Sequence, residues 1–200
     1  GLLAEFSLSS QEGIALMCLA EALLRVMESL DNAFNEAAEI MHRCEGRVVL
    51  TGMGKSGLVC KKIASTLSST GTPALFVHPA DSLHGDLGML QRSDVLIIVS
   101  NSGETEEVLK IIPWIKRLGI PVITITGDRE STIARLGNIS LSVEVDEACP
   151  YNIVPTSSTT ATLALGDALA LSVMERRAFK VEDFALLHPG GSLGRKLFLR

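Results

Sequence analysis

The chain has no run of lysine or arginine. Its 18 basic residues are outnumbered by 23 acidic ones, for a net charge of −5 and a pI near 5.4. The basic side chains are scattered, as in the pairs Lys61-Lys62, Arg176-Arg177 and Arg195-Lys196. That pattern lacks the electrostatic footprint of a nucleic-acid binder, so we expect no nucleic-acid partner. Long hydrophobic runs are also missing: no apolar stretch approaches the length that spans a bilayer. The amino end has no basic start, apolar middle and small-residue cleavage site. We therefore expect a cytoplasmic protein with no membrane partner. Cysteine is sparse, and Cys18, Cys44, Cys60 and Cys149 are far apart with no C-x-x-C pair. This excludes a disulfide scaffold and fits reduced thiols packed as small hydrophobes. There is no internal repeat or low-complexity linker. The chain starts at Gly rather than Met, as expected of an excised domain.

What is present is an ordinary soluble balance, 46% apolar and 20% charged over 200 residues, which suits one domain with a sizeable core. Residues 10–30 carry Ile14, Met17, Cys18, Ala20, Leu24 and Met27 near helical spacing, and Asp31 offers a cap for a second helix ending about Cys44. Short apolar runs bounded by turn residues then read as strands at Arg47–Thr51, Ala74–Val77, Asp94–Val99, Pro121–Thr126 and Ile139–Val143. Helical patterns lie between or after them at Ser56–Ser69, Glu104–Leu118, Glu130–Leu136, Thr156–Arg177 and Val181–Leu187. Alternating strands and helices imply parallel βαβ units, and strands this apolar must be covered on both faces. The expectation is an α/β fold, a doubly wound three-layer αβα sandwich on a five-stranded parallel sheet. A helical arm at 1–45 would pack on a domain at 46–200. Ligands of such sheets bind at the carboxyl ends of the strands. The polar, glycine-containing segments Gly52–Gly57, His78–Gly88, Ser100–Thr105 and Glu147–Thr160 all follow strands.

The most informative of these is Val99-Ser100-Asn101-Ser102-Gly103-Glu104-Thr105, at the exit of the third strand and the start of a helix. Unpaired N–H groups of a first helical turn and the helix dipole favour an anion, and hydroxyls add donors without permanent charge. A single cap uses one hydroxyl; three within six residues point to a phosphate-binding loop. Gly52-Met53-Gly54-Lys55-Ser56-Gly57 fits G-x-G-x-x-G literally, but a lysine within the loop and Val77-His78-Pro79 at the end of the second strand argue against a dinucleotide site. A Walker A reading fails because Val49 stands where its first glycine belongs. A lysine and a serine at a strand exit remain, flanked by glycines that imply close approach of the backbone to something. The loop His78–Asp86 holds His78, His84, Asp81 and Asp86 without a standard zinc spacing, which suits acid–base chemistry or substrate binding better than a structural metal. Glu147 follows the final strand in Glu147-Ala148-Cys149-Pro150. Thr156-Ser157-Ser158-Thr159-Thr160 then places five hydroxyls where a cap would use one. His188, in His188-Pro189-Gly190-Gly191, gains its weight from this company.

Together the segments GMGKSG, STGTP, FVHPADSLHGDLGM, SNSGETEE, EACP, PTSSTTATLALGDALA and HPGGSLGRKL resemble the sugar isomerase (SIS) domain. Within it they are similar to the D-arabinose-5-phosphate isomerases of bacterial cell-envelope sugar synthesis. The likeness runs from about Gly46 to Arg200, roughly three quarters of the chain. Family members often carry two CBS modules beyond this point, so the chain is either a piece from which they were removed or a short form. By resemblance, Lys55, Glu107, Glu147 and His188 occupy catalytic positions, with His84 nearby. Ser56, Ser100, Asn101, Ser102, Thr105, Thr156, Ser157 and Ser158 would hold phosphate or sugar hydroxyls, with Gly71, Thr72 and His78 as further ligand contacts. His78 also matches a position where family members bind zinc as an inhibitor. The resemblance implies a homotetramer whose active sites are shared between subunits, with His84 and His188 crossing to a neighbour.

Aldose–ketose isomerisation needs ring opening and transfer of a proton between adjacent carbons through a cis-enediol. Carboxylates, imidazole and lysine can do this, so the expected cofactor is none. The residues leave Glu107 and Glu147 both open as the base, with His188 favoured for ring opening. The expected reaction is D-ribulose 5-phosphate to D-arabinose 5-phosphate. Isomerisation of another phosphosugar and a non-catalytic sugar-phosphate-sensing module are the alternatives, and the latter has no need of Lys55, Glu107, Glu147 and His188 together.

Overall fold

The computed structural model describes residues 10–149 and 151–190; Pro150 and the tail of the last motif, residues 191–200, lie outside them. Two helices lead the described chain, α1 (Ser10–Ser29) and α2 (Asn32–His42), and α2 is capped as expected by Asp31, which accepts the Ala33 N–H at 2.8 Å. There follow β1 (Val48–Thr51), α3 (Gly54–Ser69), β2 (Ala74–Phe76), the single turn α4 (Pro79–Ser82), β3 (Val95–Ser100) and α5 (Glu106–Leu118). The chain then forms β4 (Val122–Thr126), β5 (Ile139–Ser142), α6 (Ser157–Arg176) and α7 (Val181–Leu187).

The five strands form one parallel sheet in the order β2-β1-β3-β4-β5. β1, β3 and β4 are wholly buried, whereas the edge strands β2 and β5 are partly open. The two-residue period of a strand divides their side chains between two cores. Val48, Leu50, Val95, Ile97 and Val99 face a core shared with α1, α2, α3 and α6, including Met41, Ile63, Leu67 and Leu169. Val49, Leu96 and Ile98 face the other, with Val108, Ile111 and Ile115 of α5 and Ile133. Ala37, Ala38 and Met41 of α2 are completely buried, so the amino-terminal arm shares its core with the sheet. The connection β1–α3–β2 covers one face and β3–α5–β4 the other. The order therefore reverses between β1 and β3, which makes their carboxyl ends the switch point where such sheets bind ligands.

Two expectations need correction. The segment 130–136 forms only a 3-10 turn, Ala134–Leu136, in place of a helix from Glu130. Its donors are already taken: Asp128 accepts from Glu130 N–H at 2.8 Å and from the Ser131 hydroxyl at 2.7 Å, Glu104 accepts from Thr132 N–H at 2.6 Å, and the Gly103 carbonyl accepts from Ile133 N–H at 3.0 Å. Side-chain and loop acceptors thus outcompete the helix. In α1 the helix is right but its buried face differs. Ala22 and Val26 are buried, while Ile14, Met17, Leu24 and Met27 are more than half exposed, so their spacing marks an outer apolar stripe.

Candidate active site

At the carboxyl end of β1, Lys55 and Ser56 lie in the first turn of α3. Gly52 and Gly57 approach other backbone, since a Cβ on Gly52 would stand 2.8 Å from the Val99 carbonyl and one on Gly57 would stand 2.6 Å from the Gly52 carbonyl. Their smallness therefore serves the packing of this turn on β3, and the ligand reading of the flanking glycines is corrected to that extent. Lys55 is exposed and lines an open groove of about 450 Å³ with Gly54, Gly57, Leu58, Lys61, Phe76 and His78. His78 packs edge-on to Phe76 at 6.2 Å, and its Nδ1 lies 3.8 Å from Asp81, too far for a hydrogen bond. Among the described residues no three His, Cys, Asp or Glu side chains converge as a metal site, so His78 within one chain does not form one. His84 is exposed beyond α4.

The loop after β3 separates its hydroxyls by role. Ser100, almost completely buried, shares a 2.8 Å hydrogen bond with the Thr105 hydroxyl and accepts the Gly103 N–H at 3.0 Å. These two hydroxyls build the loop. Ser102 is exposed, and its oxygen accepts only the Glu104 N–H at 3.2 Å, leaving its O–H to donate outward. Helix α5 starts at Glu106, two residues later than expected, because Ser100 holds Thr105 and Glu104 reaches Thr132. Thr105 makes no side-chain cap, so the first-turn N–H groups of α5 face outward without one. Glu107 sits in that turn, half-buried, with no side-chain hydrogen bond or ion pair among the described residues.

The second hydroxyl run is already engaged. Glu147 Oε2 accepts from Thr156 N–H at 2.7 Å, from the Thr156 hydroxyl at 3.1 Å and from Ser158 N–H at 3.3 Å, while its Oε1 accepts from the Ser158 hydroxyl. The chain's own carboxylate thus fills the anion position at the amino end of α6. Burial alone would raise the Glu147 carboxyl, but the bonds from Ser158 and Thr156 outweigh it and hold it below the ordinary carboxylate value. Ser157 is completely buried, so it is not presented to a cleft as expected; its position in the first turn of α6 turns it inward. Ser158 instead meets Ser56 and Asn101 in a narrow crevice that joins the exits of β1 and β3.

Gly71, Thr72 and His188 are not brought to this edge. Gly71 and Thr72 precede β2, at the amino end of the sheet, where a Cβ on Gly71 would overlap the Phe179 ring. Helix α6 runs the roughly 30 Å from the carboxyl edge to that end, and the nine residues from Lys180 to His188, mostly the two turns of α7, cannot retrace it. His188 stacks on Phe184, ring centroids 3.9 Å apart, and its Nδ1 lies 2.9 Å from the Phe184 carbonyl. The structure also adds residues that sequence reading missed. Arg25 of α1 reaches Asp146 at 3.4 Å and lines a 270 Å³ cleft with Asn101 and Asp128, and no local pattern announces an arginine arriving from so far away in the chain. Asn152, whose Oδ1 accepts the Glu147 backbone N–H, carried a faint signal as a residue type that tolerates the left-handed region.

The description "SIS domain" matches residues 41–172. A second description, "DNA-binding domain of Proline dehydrogenase", matches residues 1–54. That stretch has three basic residues against eight acidic ones and, in its described part, packs into the sheet's core, so nothing in it favours phosphates. Arabinose 5-phosphate isomerase KdsD of Pseudomonas aeruginosa is 50% identical over 98% of this chain, and that of Escherichia coli is 51% identical over 98%. The chain spans 60% of the length of each of these curated relatives. A solved Escherichia coli structure in complex with arabinose 5-phosphate superimposes with a TM-score of 0.86 at 38% identity, covering 88% of this chain and 95% of that one.

Proposed function

The chain belongs to the SIS domain family, and from that premise we propose that it interconverts D-ribulose 5-phosphate and D-arabinose 5-phosphate, supplying cell-envelope sugar synthesis in the cytoplasm. The observation that carries the reading is the contrast between the two hydroxyl loops. The amino end of α5 is uncapped beside the outward Ser102, whereas that of α6 is sealed by Glu147. Phosphate binds the first, which aims the sugar across the β1–β3 switch point toward Lys55, Ser56 and Asn101. Glu107, without a side-chain partner among the described residues, moves the proton between the two carbons, and Lys55 stabilises the enediolate oxygen. His188 opens the ring from a neighbouring subunit, and His84, Gly71 and Thr72 also meet their ligands across subunits. The supporting observations are the distance of His188, Gly71 and Thr72 from the site within one chain, and the exposed apolar stripe on α1, a surface suited to burial in a homotetramer.

The test is incubation with ribulose 5-phosphate and analysis of the sugars formed, with and without chelator. Arabinose 5-phosphate should accumulate to equilibrium, and the rate should hold or rise in chelator, because proton transfer by Glu107, Lys55 and His188 requires no metal and zinc on His78 would inhibit. Loss of activity in chelator with recovery on adding zinc would overturn the metal-free scheme. If the sugar is returned unchanged while another ketose phosphate is isomerised, the substrate assignment is wrong.

Replacing Ser102 should separate binding from chemistry. A phosphate remote from the reacting carbons contributes equally to ground and transition states. Ser102→Ala should therefore raise KM by about ten- to 150-fold, the worth of one charge-assisted hydrogen bond, with kcat within about twofold of the parent. Steady-state kinetics decides, and an unchanged KM removes Ser102 from the phosphate site.

A further inference from the structure

The loop that delivers Glu147 is held by a residue with no assigned role. Asn152 has φ +52°, in the left-handed region that asparagine tolerates better than most residues. Its Oδ1 accepts the Glu147 backbone N–H at 2.5 Å, closing the loop onto the residue that opens it. Beside it, Cys149 Sγ accepts the N–H groups of Ile153 and Val154, both at 3.2 Å, and the Asn152 N–H donates to the Cys149 carbonyl at 3.0 Å. The Ala148 N–H reaches the Thr156 hydroxyl at 3.1 Å. Five bonds therefore tie down the described residues between Glu147 and Thr156, and among them only Asn152 grips the Glu147 main chain. Asn152 is exposed and contributes nothing to either core.

We propose that Asn152 is a positioning residue: by anchoring the Glu147 main chain it sets the carboxylate against Thr156 and Ser158, and so shapes the crevice in which Ser158 meets Ser56 and Asn101. This rests on the isomerase reading for its effect on turnover, though not for its effect on Glu147. When the anchor is lost, the carboxylate drifts from its four donors and Ser158 drifts from the crevice. Displacement of a positioning group by about 1 Å is enough to lower rates by up to about a hundredfold. The other charged groups facing Glu147 are Glu21 and Arg25 of α1 and its neighbour Asp146, with the Cys18 thiol close by. Asn152→Gly and Asn152→Ser leave these groups unchanged and add no charge, so a shift of Glu147 in those two variants reports its hydrogen bonds.

The experiment compares Asn152→Gly, which removes the acceptor, and Asn152→Ser, whose hydroxyl stops one bond short of the Oδ1 position, with Asn152→Asp, which keeps it; glycine is at ease at φ +52°, so the glycine variant introduces no strain. Two quantities are read, the titration of the Glu147 carboxyl by carbon-13 NMR and kcat/KM on ribulose 5-phosphate. In Asn152→Gly and Asn152→Ser the Glu147 carboxyl should titrate higher than in the parent, and kcat/KM should fall by about 10- to 100-fold. Asn152→Asp should hold kcat/KM within about threefold of the parent; its added carboxylate also repels that of Glu147, so this variant is read by kcat/KM and not by titration. If either Asn152→Gly or Asn152→Ser fails to fold, the other carries the same two expectations. An unchanged Glu147 titration, or a kcat/KM equal to the parent's, overturns the proposal. If the parent itself does not turn over ribulose 5-phosphate, the isomerase reading falls, and the titration alone decides whether Asn152 places Glu147.

Discussion

A mixture of Lys55→Ala and His188→Ala proteins, each inactive alone, should recover up to about a quarter of the parent activity after subunit exchange. The lysine lies at the exit of β1, on the carboxyl edge of the sheet. His188 follows α7, on a segment that starts from the amino end, where Phe179 packs against Gly71. If an active site takes its lysine from one subunit and its histidine from another, random exchange at equal concentrations gives an intact pair in one site out of four, by the two independent halves of the symmetric interface. Each single variant should fall by a thousandfold or so, since an electrostatic stabiliser of the enediolate and a general acid–base group act at different steps and neither substitutes for the other. The measurement is activity against mixing time, with native mass spectrometry to confirm mixed oligomers. Mixed oligomers without activity would place both residues in the site of one chain.

Gly103→Ala should melt about 4–20 °C below the parent and lose phosphate binding along with stability. Gly103 has φ +65°, where any Cβ costs about 1–2 kcal/mol. A Cβ there would also stand 1.9 Å from Ser131 Oγ and 2.2 Å from Ser131 Cβ, an overlap worth about a further 1–3 kcal/mol. Together these give roughly 2–5 kcal/mol, and a domain of this size moves by about 2–4 °C per kcal/mol. The Ser131 contact belongs to the same fabric that ends the 130–136 segment as a short turn, since the Gly103 carbonyl accepts from Ile133 and Glu104 from Thr132. Moving Gly103 thus moves Ser102 and the start of α5. Adding Ser131→Gly should recover part of the lost stability by removing the overlap, while the φ penalty remains; a double-mutant cycle separates the two. A melting temperature within 2 °C or so of the parent would show that the loop yields easily and that its shape is not set by this contact.

Much of this protein is determined by local sequence. Alternating apolar runs and helical patterns specified a five-stranded parallel sheet covered on both faces, because a strand buried on two sides has no other composition available to it. The strand boundaries at 47–51, 94–99 and 121–126 were legible to within a residue for the same reason. The gathering of Lys55, Glu107 and Glu147 at one edge followed from the rule that parallel strands carry their functional loops at their carboxyl ends. The SNSGET and EACP segments were legible as chemistry because hydroxyls and carboxylates at strand exits exceed what capping uses.

Other properties were decided only by long-range contacts. Ser100, Ser102 and Thr105 are equivalent in sequence; the hydrogen bond between Ser100 and Thr105 leaves Ser102 alone to face outward. Glu107 and Glu147 are alike as carboxylates in the sequence; in the fold Thr156 and Ser158, nine and eleven residues beyond Glu147, close on its carboxylate, whereas Glu107 has no side-chain partner among the described residues. The apolar stripe on α1 has the spacing of a core face, yet α1 packs through Ala22 and Val26, because which side of a helix is buried depends on where its neighbours α2 and α6 lie. The separation of His188, Gly71 and Thr72 from the other site residues is likewise a matter of topology: α6 carries the chain across the full depth of the sheet, and sequence spacing does not record direction. Local physics determined which elements form and what chemistry their ends can bear. Tertiary structure decided which donors remain free, because a hydrogen-bonding group is available to a ligand only when no other part of the chain has reached it first.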